Sequence, residues 1–191
     1  MTYKPPVAIY DACVLYPFHL RNLLIQCAAD RLVDAHWTDD IHDEWIRNLV
    51  ENSPSVSIER LHRTRDLMEK ALPSASVTGH RQHLPNITLP DPDDRHVVAA
   101  GIEAGASIIV TWNVRDFPIK ELSRHGLRKQ KPDAFLLDIY AMAPAAVIAA
   151  TARARKNLSK SGISAWDFIE TLKKQKLIHF AATMTKHVSD L

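Results

Sequence analysis

Leu89–Phe117, LPDPDDRHVVAAGIEAGASIIVTWNVRDF, passes from a turn through a helix and a buried strand into a polar loop, with acidic residues at both ends. Leu89-Pro90 stops whatever precedes it. Asp91 suits a helix cap, Pro92 the first helical position, and Asp93 and Asp94 the first turn. The spacing predicts a helix through Val97, Val98 and Ile102 that ends near Gly105. Ser107 to Trp112 is a short apolar run of the kind found in a strand covered on both faces. Asn113, Arg115 and Asp116 follow at once. A helix packed beside that strand can bring Asp94 and Asp116 to one rim of a sheet.

Upstream, Val7-Ala8-Ile9-Tyr10 follows Pro5-Pro6 and predicts a first strand, which ends directly on Asp11. Ligands of open α/β sheets bind beyond the carboxyl ends of the strands, so Asp11 is placed for chemistry, or equally as a cap to the next helix. That helix is expected over Leu20–Leu32, and a second short strand over Val33–Trp37. Thr38 then offers an N-cap, with Asp39 and Asp40 where the helix dipole favours negative charge. In the helix that follows, Ile41, Trp45 and Leu49 form an apolar seam with Glu44 beside it. Glu44 lies one turn from Asp40, a repulsion of a few tenths of a kcal/mol that a bound cation would relieve. Pairing of Glu44 with Arg47 or Asn48 is the plainer alternative.

Ser53-Pro54-Ser55 breaks the chain, and Ile58–Leu72 reads as a further helix, with Arg60, His62, Arg63 and Lys70 on its other face. That face is a candidate phosphate-contact surface or, more commonly for such a pattern, a solvated face of mixed charge. Pro73–Pro90 is polar and irregular, with short extended pieces expected at Val77 and Ile87–Leu89. His80 and His83 there have no partners at metal-ligand spacing. Phe117–Leu127 reads as a loop or short helix. Arg124, His125, Arg128, Lys129 and Lys131 form the densest basic cluster, able to hold a polyanion's phosphates if it lies near the acidic rim. Beyond Lys131-Pro132-Asp133 the pattern is helical only: Ala134–Met142, Ala145–Asn157, Ser164–Gln175 and Ile178–His187. Ser164-Ala165-Trp166-Asp167 resembles a capping box. A βαβ alternation followed by helices predicts an α/β domain with a helical tail, suited to partner contact or stability.

The chain's 191 residues, 46% of them hydrophobic, are enough for one substantial core, and a formal charge of +2 implies no strong polyelectrolyte partner. Cys13 and Cys27 have neither disulfide nor zinc spacing, which fits a reducing compartment. No signal peptide or membrane-spanning run is evident, so a cytoplasmic protein without membrane association is expected. Among five glycines there is no GxGxxG or GxxxxGK[ST] loop, and no GxSxG elbow exists. An aspartyl-phosphate enzyme would want a second Asp at the position of Cys13. What remains is Asp11, Glu44, Asp94 and Asp116, each at a strand end or near a helix start. Gathered carboxylates repel unless they bind a cation. Mg²⁺ or Mn²⁺ is the natural choice, and it would polarise a phosphodiester and activate water.

Three motifs in order, Tyr10–Pro17 (YDACVLYP), Pro90–Ala100 (PDPDDRHVVAA) and Thr111–Phe117 (TWNVRDF), with the Glu44 helix between the first two, resemble a PIN domain. More narrowly, the chain resembles VapC-type ribonuclease toxins with a helical C-terminal extension. The resemblance implies an α/β fold with a parallel sheet of four or five strands flanked by helices over residues 1–131, and an all-helical extension over 132–191. It implies an Mg²⁺- or Mn²⁺-dependent endoribonuclease, a cognate protein antitoxin, and dimerisation as in many relatives. Asp11, Glu44, Asp94 and Asp116 match the family's acids, with Thr111 and Asn113 in supporting places. Many members carry Asp where this chain has Asn113, one negative charge fewer. Arg115, Arg124, Arg128 and Lys129 are expected to position the RNA backbone. Two other classes fit the same residues: an RNA- or protein-binding module that does not cut, and a structural interaction protein whose acids are only caps.

Overall fold

The computed structural model describes residues 3–53, 55–158 and 162–191. Pro54, the centre of the expected break, lies outside them. The apolar run at the N-terminus forms β1 (Val7–Tyr10), in which Ala8, Ile9 and Tyr10 are wholly buried. Helices α1 (Ala12–Leu15) and α2 (Phe18–Ala29) follow, then the edge strand β2 (Asp34–His36). Two amphipathic helices come next: α3 (Asp39–Asn52), capped by Thr38 accepting from Ile41 N, and α4 (Ile58–Ala71), capped by Ser57. The polar stretch beyond holds a 3₁₀ helix at His80–Asn86. Its expected extended piece near Val77 is a single parallel bridge, Trp37 to Ser76.

The Leu89–Phe117 segment folds nearly as its pattern predicts. Asp91 accepts from Asp93 N, and Pro92–Asp94 forms one 3₁₀ turn before α5 (Arg95–Glu103). Gly105, at φ +60°, ends the helix. Ala106 N donates to Gly101 O at 2.9 Å and Gly105 N to Ile102 O at 3.2 Å, the paired closure that needs a left-handed residue. Strand β3 is shorter than the apolar run, Ile108–Val110, and fully buried.

After α6 (Ile119–Arg124) comes an element the pattern does not announce. Residues Arg128–Gln130, which read only as basic surface, are strand β4. Strand β4 pairs with β3 alone, so an edge position tolerates its polar side chains. The sheet is parallel throughout, in the order β2-β1-β3-β4. The chain leaves β1 toward β2 and leaves β3 toward β4, on opposite sides. The crevice where such connections part is the usual ligand position of an open α/β sheet. Asp11 and Thr111 end the two strands that border it.

The remaining helices are α7 (Pro132–Met142), α8 (Pro144–Lys156), α9 (Ala165–Lys174) and α10 (Ile178–Thr185). They pack on the same core. The Phe135 ring of α7 meets the Tyr10 ring of β1 edge-on at 6.3 Å between centroids. Asn22 of α2 donates to Ala154 O of α8 at 2.7 Å, and Gln175 accepts from Leu20 N at 2.8 Å. Asp133, nearly buried, accepts from the backbone N–H groups of His179 and Phe180 and so ties the start of α10 to the start of α7. No helix among the described residues is long and apolar enough to cross a membrane.

Candidate metal and nucleic-acid site

Asp11 is 3% exposed, at the end of β1. Its side chain makes no cap to α1; it turns to β3, where the Thr111 hydroxyl donates to Asp11 Oδ2 at 2.5 Å. Thr111 Oγ1 in turn accepts from Asn113 N at 2.8 Å. The Cys13 thiol lies 3.1 Å from the same Asp11 oxygen and accepts from Trp112 N at 3.2 Å. Burial raises the Asp11 carboxyl above its usual range, and the Thr111 and Cys13 hydrogen bonds partly offset it. Burial pushes the Cys13 thiol up as well, which leaves it a neutral donor.

Glu44 is placed by packing around its neighbours on α3. Ile41 and Trp45 are fully buried. Trp45 Nε1 donates to His42 Nδ1 at 2.9 Å, and His42 Nε2 meets Glu69 of α4 at 3.0 Å. The Arg21 guanidinium lies over the Trp45 ring at 4.8 Å. This face locks the helix rotation and leaves Glu44 on the rim, where it meets His96 Nε2 at 3.2 Å. Glu44 therefore takes neither of the expected partners, Arg47 or Asn48. His96 is the second residue of α5. Its role was not legible, because a lone histidine on a helix start carries no spacing signal.

Asp94 is half-buried, and its Oδ2 is buried without a hydrogen-bond partner. Asp91 has taken the capping position, so Asp94 makes no cap bond of its own. Its carboxyl is pushed up to about 7 by burial first, then by the charges of Asp11, Asp91, Asp116 and Glu44. Of the four acids singled out in the sequence, Glu44 and Asp94 line one cleft, while Asp11 and Asp116 are not in its lining and reach Asp94 through their charge. The cleft is open, about 600 Å³ in volume, and lined by Glu44, Asp94, His96, Asn113, Asp40 and Asp43 among others. Asp40 is already engaged by His80 at 2.7 Å and by Arg81, which gives the unassigned His80 a structural role. His83 likewise pairs with Glu103 at 2.7 Å.

The donor set suits a hard divalent cation: carboxylate oxygens, one of them buried and unsatisfied. Among the described residues no three His, Cys, Asp or Glu side chains stand close enough to form a ready-made metal cage. Mg²⁺ commonly needs only one or two carboxylates and keeps several waters, so the residues fit that ion as a partly hydrated guest.

The sequence pattern of the PIN domain matches residues 7–115, more than half of the chain. The chain belongs to the PIN-domain family. The pattern of the VapC50 C-terminal domain matches residues 132–186, the helices α7 to α10. Over 58 residues the chain is 43% identical to a Mycobacterium tuberculosis protein named "Putative ribonuclease VapC50"; the aligned part covers 29% of this chain and 34% of that protein. No solved structure matches.

Around the PIN-domain cleft, the expected phosphate-binding residues divide. Arg115 is exposed in the loop between Asn113 and Asp116. Lys129 donates to Val114 O in that loop, so β4 braces the rim. Arg124 is paired with Glu121 at 2.9 Å, and Arg128 donates to Gln130 at 2.8 Å. None of the four lines the acidic cleft itself, whose one arginine among the described residues is Arg47.

Proposed function

We infer that this PIN-domain protein is a VapC-type toxin, an endoribonuclease that hydrolyses RNA phosphodiester bonds with the help of Mg²⁺ or Mn²⁺, and that a protein antitoxin restrains it. Residues 1–131 form the nuclease domain and residues 132–191 the helical extension. The observation that carries the reading is Asp94: a carboxyl on the wall of an open cleft, with a buried, unpartnered oxygen and the charges of Asp11, Asp91, Asp116 and Glu44 acting against its ionisation. A polyanion cannot approach that cleft unless a cation intervenes.

Asp94, Asp11, Glu44 and Asp116 would hold the ion directly or through water. Bound there, it supplies Lewis acidity toward the phosphate and favours ionisation of a water. Thr111 holds the Asp11 carboxylate in one orientation from behind, and His96 does the same for Glu44. Asn113, on the cleft wall, orients substrate. Arg115 and Lys129 steady the RNA backbone beside the loop, with Arg124 and Arg128 farther out. Asn113 in place of the family's frequent Asp leaves one charge fewer, which favours a single ion.

The test is cleavage of labelled total RNA by the purified chain with Mg²⁺, with Mn²⁺ and with EDTA, beside Asp11→Asn. Discrete fragments that need metal and vanish in D11N support the reading. RNA binding without any cleavage, once a copurified antitoxin is ruled out, would move it to a non-cutting module. Equal cleavage in EDTA and in D11N would mark a contaminating enzyme and sink it.

A further inference from the structure

A second hollow, of about 490 Å³, opens where the exit of β3 meets the helical extension. Trp112 forms one wall; Lys131 and Ala134 at the start of α7 and Lys176 and Ile178 at the start of α10 form the other. Trp112 lines this hollow and the next residue, Asn113, lines the acidic cleft, so consecutive residues at the exit of β3 border the two.

Its chemistry is the reverse of the cleft's. Lys131 and Lys176 are exposed, and among the described residues neither ammonium has an ion-pair partner. The one acid in the lining, Asp133, is already spent: its carboxylate meets His179 Nδ1 at 2.8 Å, His179 N at 3.1 Å and Phe180 N at 2.8 Å. Lys176 sits at φ +67° in the turn between α9 and α10, a backbone conformation that suits glycine better. The chain nonetheless keeps a long cation there. Trp112 and Ile178 add apolar surface to the lining, and the Trp112 backbone is anchored through its bond to Cys13.

We propose that this hollow is a subsite for single-stranded RNA, in which an unpaired base next to the cleaved linkage stacks on Trp112 while Lys131 and Lys176 hold the flanking phosphates. The proposal rests on the RNA-cleaving reading for its direction along the strand. An aromatic face flanked by cations is how proteins grip unpaired nucleotides, because every base has a stackable face and every linkage a charge. The extension thereby becomes part of the substrate-binding surface, and the acidic cleft, which repels RNA, gains an adjoining region that attracts it.

The experiment is fluorescence anisotropy of a labelled short single-stranded RNA with the full chain, in EDTA so that binding is measured apart from cleavage. The variants are K131Q/K176Q, W112L, W112F and the charge-matched control K4Q/R31Q; Lys4 and Arg31 line a different hollow at the opposite end of the sheet. K131Q/K176Q is expected to weaken binding several-fold and to reduce the slope of log affinity against log salt by about 1.4, two phosphates at about 0.7 each. W112L is expected to weaken binding about 5-fold or more and W112F to retain most of it, as stacking on an aromatic requires. Wild type should prefer the single strand to the same sequence as a duplex. Indifference of binding to K131Q/K176Q, a salt slope shared with K4Q/R31Q, or no RNA binding at all overturns the subsite. The two lysines are exposed, so their replacement does not threaten folding even if W112L does. Metal-dependent cleavage with RNA binding untouched by these variants would overturn the subsite and leave the nuclease reading standing. Subsite-dependent binding without cleavage would do the opposite.

Discussion

Replacing Asp94 by Asn should stabilise the protein while it abolishes cleavage. The Asp94 carboxyl is pushed from 3.8 to about 7 in the folded protein. Between those values the native state binds more protons than the unfolded chain, so stability falls as pH rises through the window. Below about pH 4 both states are protonated and the penalty is absent; above about pH 7 it is fully present. Three units correspond to about 4 kcal/mol. The group is only half-buried, and solvent screening brings a realistic figure to about 2 kcal/mol. Asn carries no charge, so D94N escapes the penalty. In EDTA at pH 8 it should melt about 4–8 °C above wild type, for a chain of this size, and at pH 4 the two should coincide. Thermal melts followed by circular dichroism at pH 4, 6 and 8 measure this directly. Added Mg²⁺ should close the gap at pH 8 by stabilising wild type more than the variant. A D94N protein that melts at or below wild type at pH 8 in EDTA would refute the electrostatic account of the cleft.

Thr111→Val removes the hydroxyl that orients Asp11 and accepts from Asn113 N; single-turnover cleavage should drop about 10–100-fold, the usual cost of losing such a support, and an unchanged rate would detach Thr111 from the site. Asp133→Ala leaves the first N–H groups of α10 unpaired, at a cost of about 1–3 kcal/mol, so amide exchange at His179 and Phe180 should accelerate before exchange in β1 does. Gly101→Ala would set a new methyl 3.0 Å from both Leu127 methyls and 3.6 Å from Ile9; overpacking of about 1–3 kcal/mol outweighs a helix-propensity gain of about 1 kcal/mol, giving a net loss near 1 kcal/mol in urea unfolding.

Legibility followed the physics of each element. The buried strands β1 and β3 carry unbroken apolar runs, and α3, α4 and α9 have side-chain caps, so each was visible from its residues. Strand β4 was not, because an edge strand pairs through its backbone and leaves Arg128, Lys129 and Gln130 free to be polar. The four acids stood out because three lie at a strand end or helix start and Glu44 sits beside the apolar seam of α3; the structure puts Glu44 and Asp94 on the cleft wall, while Asp11 and Asp116 act on Asp94 by charge. His96 was not legible, because its meaning lies in a contact with Glu44 across 52 positions of sequence. The hollow at Trp112 was equally hidden: the helices after Lys131 looked like an appendage, and only their docking on α2 and the Tyr10–Phe135 contact bring Lys176 beside the end of β3.

The distribution of ion pairs sharpens the case for an external cation. Lysine and arginine number 24 against 22 aspartates and glutamates, so cationic partners are not scarce. They are spent freely elsewhere. Arg65 serves Asp39 and Asp43, Arg81 and His80 serve Asp40, Arg153 serves Asp30, and Arg124 serves Glu121. Among the described residues, Asp11, Asp94 and Asp116 have no such partner, although Asp11 is buried and Asp94 has a buried oxygen. Arg47, on the wall of the same cleft, pairs with none of them. If these acids were only caps, Asp94 would make a cap bond and a neighbouring arginine would relieve it. It does neither, and Asp91 holds the capping position three residues earlier. Repulsion is thus concentrated in one cleft of a chain with cations to spare, and a divalent ion is the partner that would relieve it.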